Sequence, residues 1–148
     1  MFRFQYHVVT KASPQAAWDV FSDWSRWNNF ANIYGQIRWT EGQPWEIGSR
    51  MEIEVLRPVE VVIDHLIISC QPPREVGWID KALGITIQQW VEFEKHGLQE
   101  TRIFTWGELA PAGVKVGGRS AEQLVSSFIQ TWYENFRLAC DQTALQGN

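Results

Sequence analysis

The sequence predicts an α+β fold in which helices cover one face of an antiparallel sheet. Seven segments show strand-like alternation or are rich in β-branched and aromatic residues. Two short helical segments follow the first of these strands, and a long amphipathic helix closes the chain. Because most strands are consecutive and the helices lie outside that run, the pattern favours α+β over alternating α/β architecture.

The first strand and both short helices are predicted near the N-terminus. Residues 2–10 alternate between apolar and polar side chains, which is typical of a half-buried strand. Ser13 is a predicted N-cap and Pro14 suits the first helical position, so a short helix begins there. Asp23 is the predicted cap of a second short helix over 24–30.

Six further strands and one long helix complete the prediction. The strands are 36–41, 50–56, 59–70, 74–80, 85–95 and 99–109, and glycine and proline mark most of the turns between them. Ser120 and Gln123 form a capping box for a helix that runs to about Leu145. A helix of that length spans roughly 39 Å, enough to cross seven strands.

Composition limits the class of protein. The chain has 148 residues, of which 45% are hydrophobic and 20% charged, so we predict one folded domain over 1–148. The net charge of −4 makes a nucleic-acid partner unexpected. We expect no membrane-spanning segment and no signal peptide. Two cysteines indicate no disulfide framework, so we expect a cytoplasmic location.

Strand parity predicts which polar side chains face the interior, because successive side chains alternate between the two faces of a sheet. The inward phases are mostly aliphatic and aromatic, and they carry five polar side chains: Tyr6, His65, Ser69, Asp80 and Gln89. An apolar surface with few polar groups is typical of a small-molecule pocket. The same pattern also fits an ordinary packed core.

The length of the loop in the last predicted hairpin is open, and it decides which side chains of the hairpin face inward. With a two-residue loop at 96–97, Phe104 and Trp106 face inward. With a three-residue loop, Thr105 faces inward and Phe104 pairs with Trp90 on the outer face. We favour the longer loop because it keeps charged neighbours in water. Trp90, Phe104 and Trp106 then form an outer aromatic patch, which is a candidate homodimer surface.

The order of these motifs resembles the START-like superfamily, also called SRPBCC or Bet v 1-like. Residues 13–27 carry the clearest match, with a Ser-Pro cap, a mostly apolar helix around Trp18, Asp23 and then Trp27. Gly48, the turn at 71–74 and the closing helix also match. Within the superfamily, the chain is most similar to small polyketide cyclase/dehydrase-like proteins.

The resemblance implies a helix-grip fold. In this fold a curved seven-stranded antiparallel sheet, two short helices and a long C-terminal helix enclose a cavity. Members of the superfamily bind lipids, steroids, polyketides, hormones or quinones, and they include carriers, receptors, co-chaperones and enzymes. Fold alone therefore does not select among these functions.

We expect the chain to bind a small hydrophobic ligand, aromatic or lipid-like, in this cavity. The candidate ligand-binding residues are Tyr6, Trp24, Trp27, Trp39, His65, Trp78, Gln89, Phe93, Phe128 and Trp132. The segments 111–118 and 24–30 are predicted to be the most mobile parts of the rim, with 111–118 as the gate.

Two other functions stay open. One is a cyclase or dehydratase that uses the same cavity, with His65 as the best candidate for a catalytic base and Asp80 or Tyr6 as its partner. The other is a protein-interaction module similar to co-chaperones, through the outer aromatic patch. No GxGxxG, Walker, CxxC or HExxH motif is present, so neither a cofactor nor a metal is expected.

Overall fold

The structure, a computed structural model, describes residues 1–146. The first elements are β1 (Phe2–Thr10), helix α1 (Pro14–Ser22) and a 3-10 helix (Trp24–Asn29). Six long strands follow: β2 (Tyr34–Glu41), β3 (Arg50–Val55), β4 (Val61–Gln71), β5 (Glu75–Ala82), β6 (Ile85–His96) and β7 (Glu100–Ala110). The small hairpin of β8 (Lys115–Val116) and β9 (Arg119–Ser120) then leads into α2 (Ala121–Gln146).

All the predicted elements are present, and the bounds agree to within two residues. The difference lies in the segment 111–118, which was predicted as a loop and contains β8. The predicted domain span of 1–148 extends two residues beyond the described part of the chain.

The seven long strands form one antiparallel sheet in the order β1-β7-β6-β5-β4-β3-β2. Both predicted caps of the regular helices are formed. Ser13 Oγ accepts a hydrogen bond from the Ala16 amide at 3.1 Å, and Ser120 Oγ accepts one from the Gln123 amide at 3.3 Å. Asp23 precedes the 3-10 helix, but its carboxylate binds Ser25 and Arg26 side chains rather than capping the backbone.

The β6–β7 hairpin has the predicted three-residue loop, because His96 pairs with Glu100. Thr101, Ile103 and Thr105 are consequently fully buried on the inner face. One detail of the prediction was wrong. Trp90 pairs with Trp106 and not with Phe104, which lies opposite Glu92.

The outer aromatic patch of Trp90, Phe104 and Trp106 is half-buried on the outer face of the sheet. The rings of Phe104 and Trp106 stack with centroids 5.2 Å apart. Trp90 lies over Gly77, where a Cβ would collide with its ring. Glycine at this position therefore lets the indole pack flat against the neighbouring strand.

Ser69 does not face the interior, contrary to the parity prediction. The register of β4 shifts between Ile67 and Ser69, so one extra residue reverses the phase. Ser69 then lies opposite Gly77, and its hydroxyl donates to Glu75 at 3.4 Å. Cys70 takes the inward position and packs against the core.

Helix α2 lies against the inner face of the sheet and buries a stripe of four large side chains and one cysteine. The stripe comprises Ile129, Trp132, Tyr133, Phe136 and Cys140. Many of the aromatic side chains pack between α2 and the sheet, around Phe21. Its ring makes edge or tilted contacts at 5.6–6.2 Å with aromatic side chains from the 3-10 helix, the sheet and α2.

A polar cluster, which we call the β1–α2 clamp, joins β1 to the C-terminal half of α2. Tyr6 of β1 donates a hydrogen bond to Glu134 of α2. Thr10 Oγ1 donates to Asp141 at 2.6 Å, and Arg137 bridges Glu134 and Asp141 at 3.2 and 3.1 Å.

No helix within residues 1–146 combines the length and hydrophobicity needed to cross a bilayer.

Candidate functional site

A cavity of two adjoining chambers lies between the inner face of the sheet and the N-terminal half of α2. The two chambers share Val55, Ile63, Asp80, Gln89, Phe128 and Ile129 in their walls. The shared residues come from strands β3–β6 and from α2, so the cavity follows directly from the way the sheet curves around the helix.

The outer chamber has a volume of about 160 Å³ and an almost entirely aliphatic lining. Strand residues such as Val61 and Ile87 form its floor, and Leu124 and Val125 of α2 form its roof. Val59 and Val116 lie at its edge, and Val59 packs beside Gly117. The segment predicted as a gate therefore does contribute to the rim of this chamber.

The inner chamber has a volume of about 80 Å³ and contains most of the polar groups. Aromatic rings surround it, contributed by α1, the 3-10 helix, the loop between β2 and β3, the sheet and α2. They are Phe21, Trp27, Tyr34, Trp45, Trp78, Phe128, Trp132 and Tyr133. The cavity thus has one aliphatic chamber and one that is aromatic and polar.

His65 and Asp80 form a hydrogen-bonded pair in the wall of the inner chamber. His65 on β4 lies opposite Asp80 on β5, and the distance from Nδ1 to Oδ1 is 2.5 Å. The other carboxylate oxygen accepts a hydrogen bond from Trp78 Nε1 at 3.1 Å. His65 also packs on the Trp78 ring, with centroids 5.1 Å apart. Two neighbours therefore fix the position of the imidazole.

His65 Nε2 is buried and has no hydrogen-bond partner among residues 1–146. The residue is only 4% exposed. Because an ionised carboxylate only accepts hydrogen bonds, the Asp80 contact places a proton on Nδ1. In the neutral tautomer with this proton, the lone pair is on Nε2, and the side chain lines the inner chamber.

Two tyrosine hydroxyls also belong to this chamber. Tyr34 accepts a hydrogen bond from Trp132 Nε1 at 2.9 Å, and among residues 1–146 its own proton has no acceptor. Tyr133 accepts one from Gln89 Nε2 at 3.4 Å, and Gln89 also donates to Thr105 at 2.9 Å. Burial raises the pKa of both phenols well above the usual range. Both hydroxyls are therefore neutral hydrogen-bond donors at physiological pH.

Six of the ten predicted ligand-binding residues line the cavity: Trp27, His65, Trp78, Gln89, Phe128 and Trp132. Phe128 lines both chambers, and its other side faces a surface cleft of about 210 Å³. The remaining four predicted residues, Tyr6, Trp24, Trp39 and Phe93, are not in the walls of either chamber.

Those four side chains have other contacts. Tyr6 belongs to the β1–α2 clamp, and so it is Asp80, not Tyr6, that pairs with His65. Trp24 and Trp39 pack edge to face with centroids 5.8 Å apart. Phe93 is 3% exposed and packs against α1 in the aromatic core. Parity gave the correct face for the three strand residues, Tyr6, Trp39 and Phe93, but packing fills the space in front of them.

The sequence prediction missed Tyr34 and Tyr133. Tyr34 comes just before the predicted start of β2, so no parity was assigned to it. Tyr133 follows Trp132 on α2, and the apolar positions predicted for this helix, which are 121, 124, 125, 128, 132, 136 and 139, do not include it. The recurrence of apolar or aromatic side chains at 129, 133, 136 and 140 is a helical signal that could have identified it.

Other kinds of site find little support in the described part of the chain. Within residues 1–146, no three His, Cys, Asp or Glu side chains converge as a metal site would require. Burial raises the pKa of the Cys70 thiol to about 11, so this thiol is protonated at neutral pH.

Comparison with known proteins bears on the fold. No protein-family model and no curated protein matches the sequence. Among solved structures, a hypothetical protein from Helicobacter pylori gives a TM-score of 0.77 at 12% identity, over 94% of this chain and 88% of that one. Ara h 8.0201 gives 0.73 at 9% identity, over 94% and 97%.

A START superfamily protein from Mycobacterium smegmatis gives a TM-score of 0.69 at 13% identity, over 99% of both chains. Identities this low establish a common fold and not a common ligand. The sheet order and the position of α2 agree with these similarities. The chain therefore has the START-like, Bet v 1-like helix-grip fold, in which a curved seven-stranded antiparallel sheet grips a long C-terminal helix.

Proposed function

We propose that the protein acts as a single START-like domain that binds a small hydrophobic ligand, aromatic or lipid-like, in the two-chamber cavity. The observation that carries this proposal is the division of the cavity into an aliphatic outer chamber and a polar, aromatic inner chamber. Such a lining matches small-molecule sites, which are mostly apolar with few oriented polar groups. An empty cavity also lowers the free energy of unfolding, by on the order of 20 cal/mol per Å³. A retained cavity therefore favours a role in ligand binding.

A ligand screen tests this proposal. The panel contains fatty acids, quinones, flavonoids, polyketides and simple aromatic compounds, and the readouts are thermal shift and tryptophan fluorescence. Because Trp27, Trp78 and Trp132 line the inner chamber, an occupant is expected to change their emission. A ligand that binds the native state alone also raises the melting temperature. Unchanged emission and melting temperature across the panel would contradict the proposal.

The ligand is proposed to pass between the segment 111–118 and the loop that carries Val59. Val116 and Val59 both line the outer chamber, and Gly117 lies beside Val59. Gly113, Gly117 and Gly118 all have positive φ angles, and the segment holds few large side chains.

A cytoplasmic location is also part of the proposal, supported by the two free cysteines, Cys70 and Cys140.

A second candidate function is acid–base catalysis of the cyclase or dehydratase kind. The specific observation is the 2.5 Å contact between His65 Nδ1 and Asp80 Oδ1, with Nε2 unpartnered among residues 1–146. A carboxylate that orients a histidine is a recurrent arrangement for a general base. The neutral Tyr34 hydroxyl, which lines the same chamber, could supply a hydrogen bond to a developing oxyanion.

Turnover of a poly-β-ketone substrate separates the catalytic function from simple ligand binding. If the protein is an enzyme, His65→Asn should lower kcat at least 100-fold while ligand binding is retained. Asn preserves a donor toward Asp80 but lacks the Nε2 lone pair. Equal kcat in the wild type and this variant would exclude His65 as the base.

The outer aromatic patch is proposed as a contact between two copies of the chain. Its stacked Phe104 and Trp106 rings lie on the sheet face opposite the cavity. A dimer formed there would leave both cavities accessible.

No nucleic-acid partner is proposed, because the net charge of −4 disfavours phosphate binding.

A further inference from the structure

The chemistry of the inner chamber points to the kind of ligand that the cavity takes. His65 Nε2 is buried with no partner among residues 1–146. In the neutral tautomer that donates from Nδ1 to Asp80, the Nε2 lone pair needs a hydrogen-bond donor. The Tyr34 hydroxyl, which lines the same chamber, accepts from Trp132 and lacks an acceptor for its own proton in the described chain. The chamber therefore offers one vacant acceptor and one vacant donor.

A hydroxyl group is the smallest group that satisfies both, because it donates one hydrogen bond and accepts another. A ketone or ether oxygen accepts only and would leave Nε2 unpaired. A carboxylate also accepts only, and it would approach the negative charge of Asp80, which lines both chambers. An unpaired buried polar group costs about 1–3 kcal/mol, so these alternatives bind less well.

The chamber volumes limit the size of the ligand. The inner chamber, at about 80 Å³, is smaller than the roughly 150 Å³ cavity that accommodates benzene in another protein. The outer chamber, at about 160 Å³, matches that size and has an aliphatic lining. A single ring therefore fits the outer chamber, with its polar substituent directed past Asp80 and Gln89 into the inner one.

We propose that the cavity selects a single-ring apolar molecule with one hydroxyl group, such as a phenol, whose hydroxyl donates to His65 Nε2 and accepts from Tyr34. This inference rests on the proposed ligand-binding function and narrows it. It favours single-ring compounds over large lipids and steroids as occupants of the two chambers.

The test compares p-cresol with p-xylene, which has a methyl group in place of the hydroxyl and nearly the same shape. Isothermal titration calorimetry gives both dissociation constants. For the wild type, p-cresol should bind at least tenfold more tightly, a difference of about 1.4 kcal/mol. In His65→Asn the preference should fall to threefold or less, because the variant keeps a donor toward Asp80 and loses the Nε2 acceptor.

His96→Asn is the matched control, since His96 is exposed at the end of β6 and lines neither chamber. It should retain the wild-type preference. A second readout on the wild type does not depend on any variant. The ¹⁵N resonance of His65 Nε2 should shift on addition of p-cresol and much less on addition of p-xylene.

The outcomes distinguish this inference from the function on which it rests. Equal or tighter binding of p-xylene, or an undiminished preference in His65→Asn, overturns hydroxyl recognition and leaves cavity binding intact. Binding of a larger panel compound at low micromolar concentration, with no binding of p-cresol at millimolar concentration, overturns the size limit alone. Absence of binding by every compound in the panel overturns both proposals.

Discussion

At the scale of single residues, the chemical character of the cavity depends on His65 and Asp80. The hydrogen bond between them offsets the free-energy cost of burying both polar groups. The Trp78 indole adds a second hydrogen bond to the carboxylate at 3.1 Å. This arrangement lets a polar pair exist inside an apolar cavity and orients the free nitrogen of the imidazole.

Replacement of Asp80 should therefore be costly. We expect Asp80→Ala to lower the free energy of unfolding by about 2–3 kcal/mol, because it leaves His65 Nδ1 and Trp78 Nε1 buried without acceptors. Asp64→Ala is the control, since Asp64 is on the neighbouring strand and pairs with Arg50 at 2.7 Å on the outer face. Its loss should cost less than about 1 kcal/mol. Urea denaturation measures both, and equal costs would contradict the role assigned to Asp80.

Sequence parity identified His65, Asp80 and Gln89 as inward because the strands that carry them alternate regularly. It also assigned Trp39 and Phe93 to the interior, which is correct as a statement about faces. Whether an inward side chain lines a cavity depends on the side chains in front of it. Phe93 meets Trp18 at a centroid distance of 5.9 Å, and no alternation pattern contains that contact.

At the scale of elements, the β1–α2 clamp joins the edge strand to the C-terminal half of the long helix. The hydrogen bond from Tyr6 lowers the pKa of Glu134, and the same bond raises the pKa of Tyr6. A lowered carboxyl pKa stabilises the fold above the ordinary value of 4.5 and loses that effect as pH falls below it. A raised phenol pKa stabilises below 10.0 and loses the effect above it.

We therefore expect Tyr6→Phe to cost about 1 kcal/mol near neutral pH, below the roughly 1.5–3 kcal/mol typical of a charged acceptor, because the pair is partly exposed. The difference from the wild type should shrink below about pH 4.5 and above about pH 10. Thermal denaturation from pH 3 to pH 11 measures it. A difference that is constant over the whole range would show that lost packing, and not the hydrogen bond, causes the destabilisation.

The rim of the cavity gives a prediction about local opening. A ligand should protect the segments 111–118 and 24–30 from hydrogen exchange more than the central strands, since both contribute residues to the cavity walls. Mass spectrometry of exchange with and without a panel ligand measures this. Protection confined to β4 and β6 would place the access route elsewhere.

The element pattern was predictable because glycine, proline and capping residues mark the ends of elements in this sequence. The reversal of phase in β4 was not, because a bulge at Ile67/Ser69 adds one residue without any glycine or proline to signal it. The same limit explains the pairing error at Trp90. The loop length fixed the faces of the hairpin, but the partner of each residue also depends on where the pairing begins.

At the scale of the whole molecule, the sheet presents two different surfaces. Its inner face binds α2 and lines the cavity, and its outer face carries the aromatic patch among charged side chains. We expect the protein to form a homodimer in sedimentation velocity, and we expect Trp106→Ser to shift it to monomer at the same concentration. Val62→Ser is the control, because Val62 is 54% exposed on the outer face but lies on β4, away from the patch. A monomeric wild type would contradict the proposed contact.

The most direct test of the ligand-binding cavity uses two adjacent valines on β4. Val61 lines the outer chamber, and Val62 points to solvent on the opposite face. Val61→Phe places a ring inside the chamber, and Val62→Phe adds the same ring outside it. With the tightest compound from the ligand screen, calorimetry should show at least a 30-fold weaker affinity for Val61→Phe and an affinity within twofold of the wild type for Val62→Phe. Equal affinity for both variants would mean that the ligand binds outside the cavity, and the central proposal would be wrong.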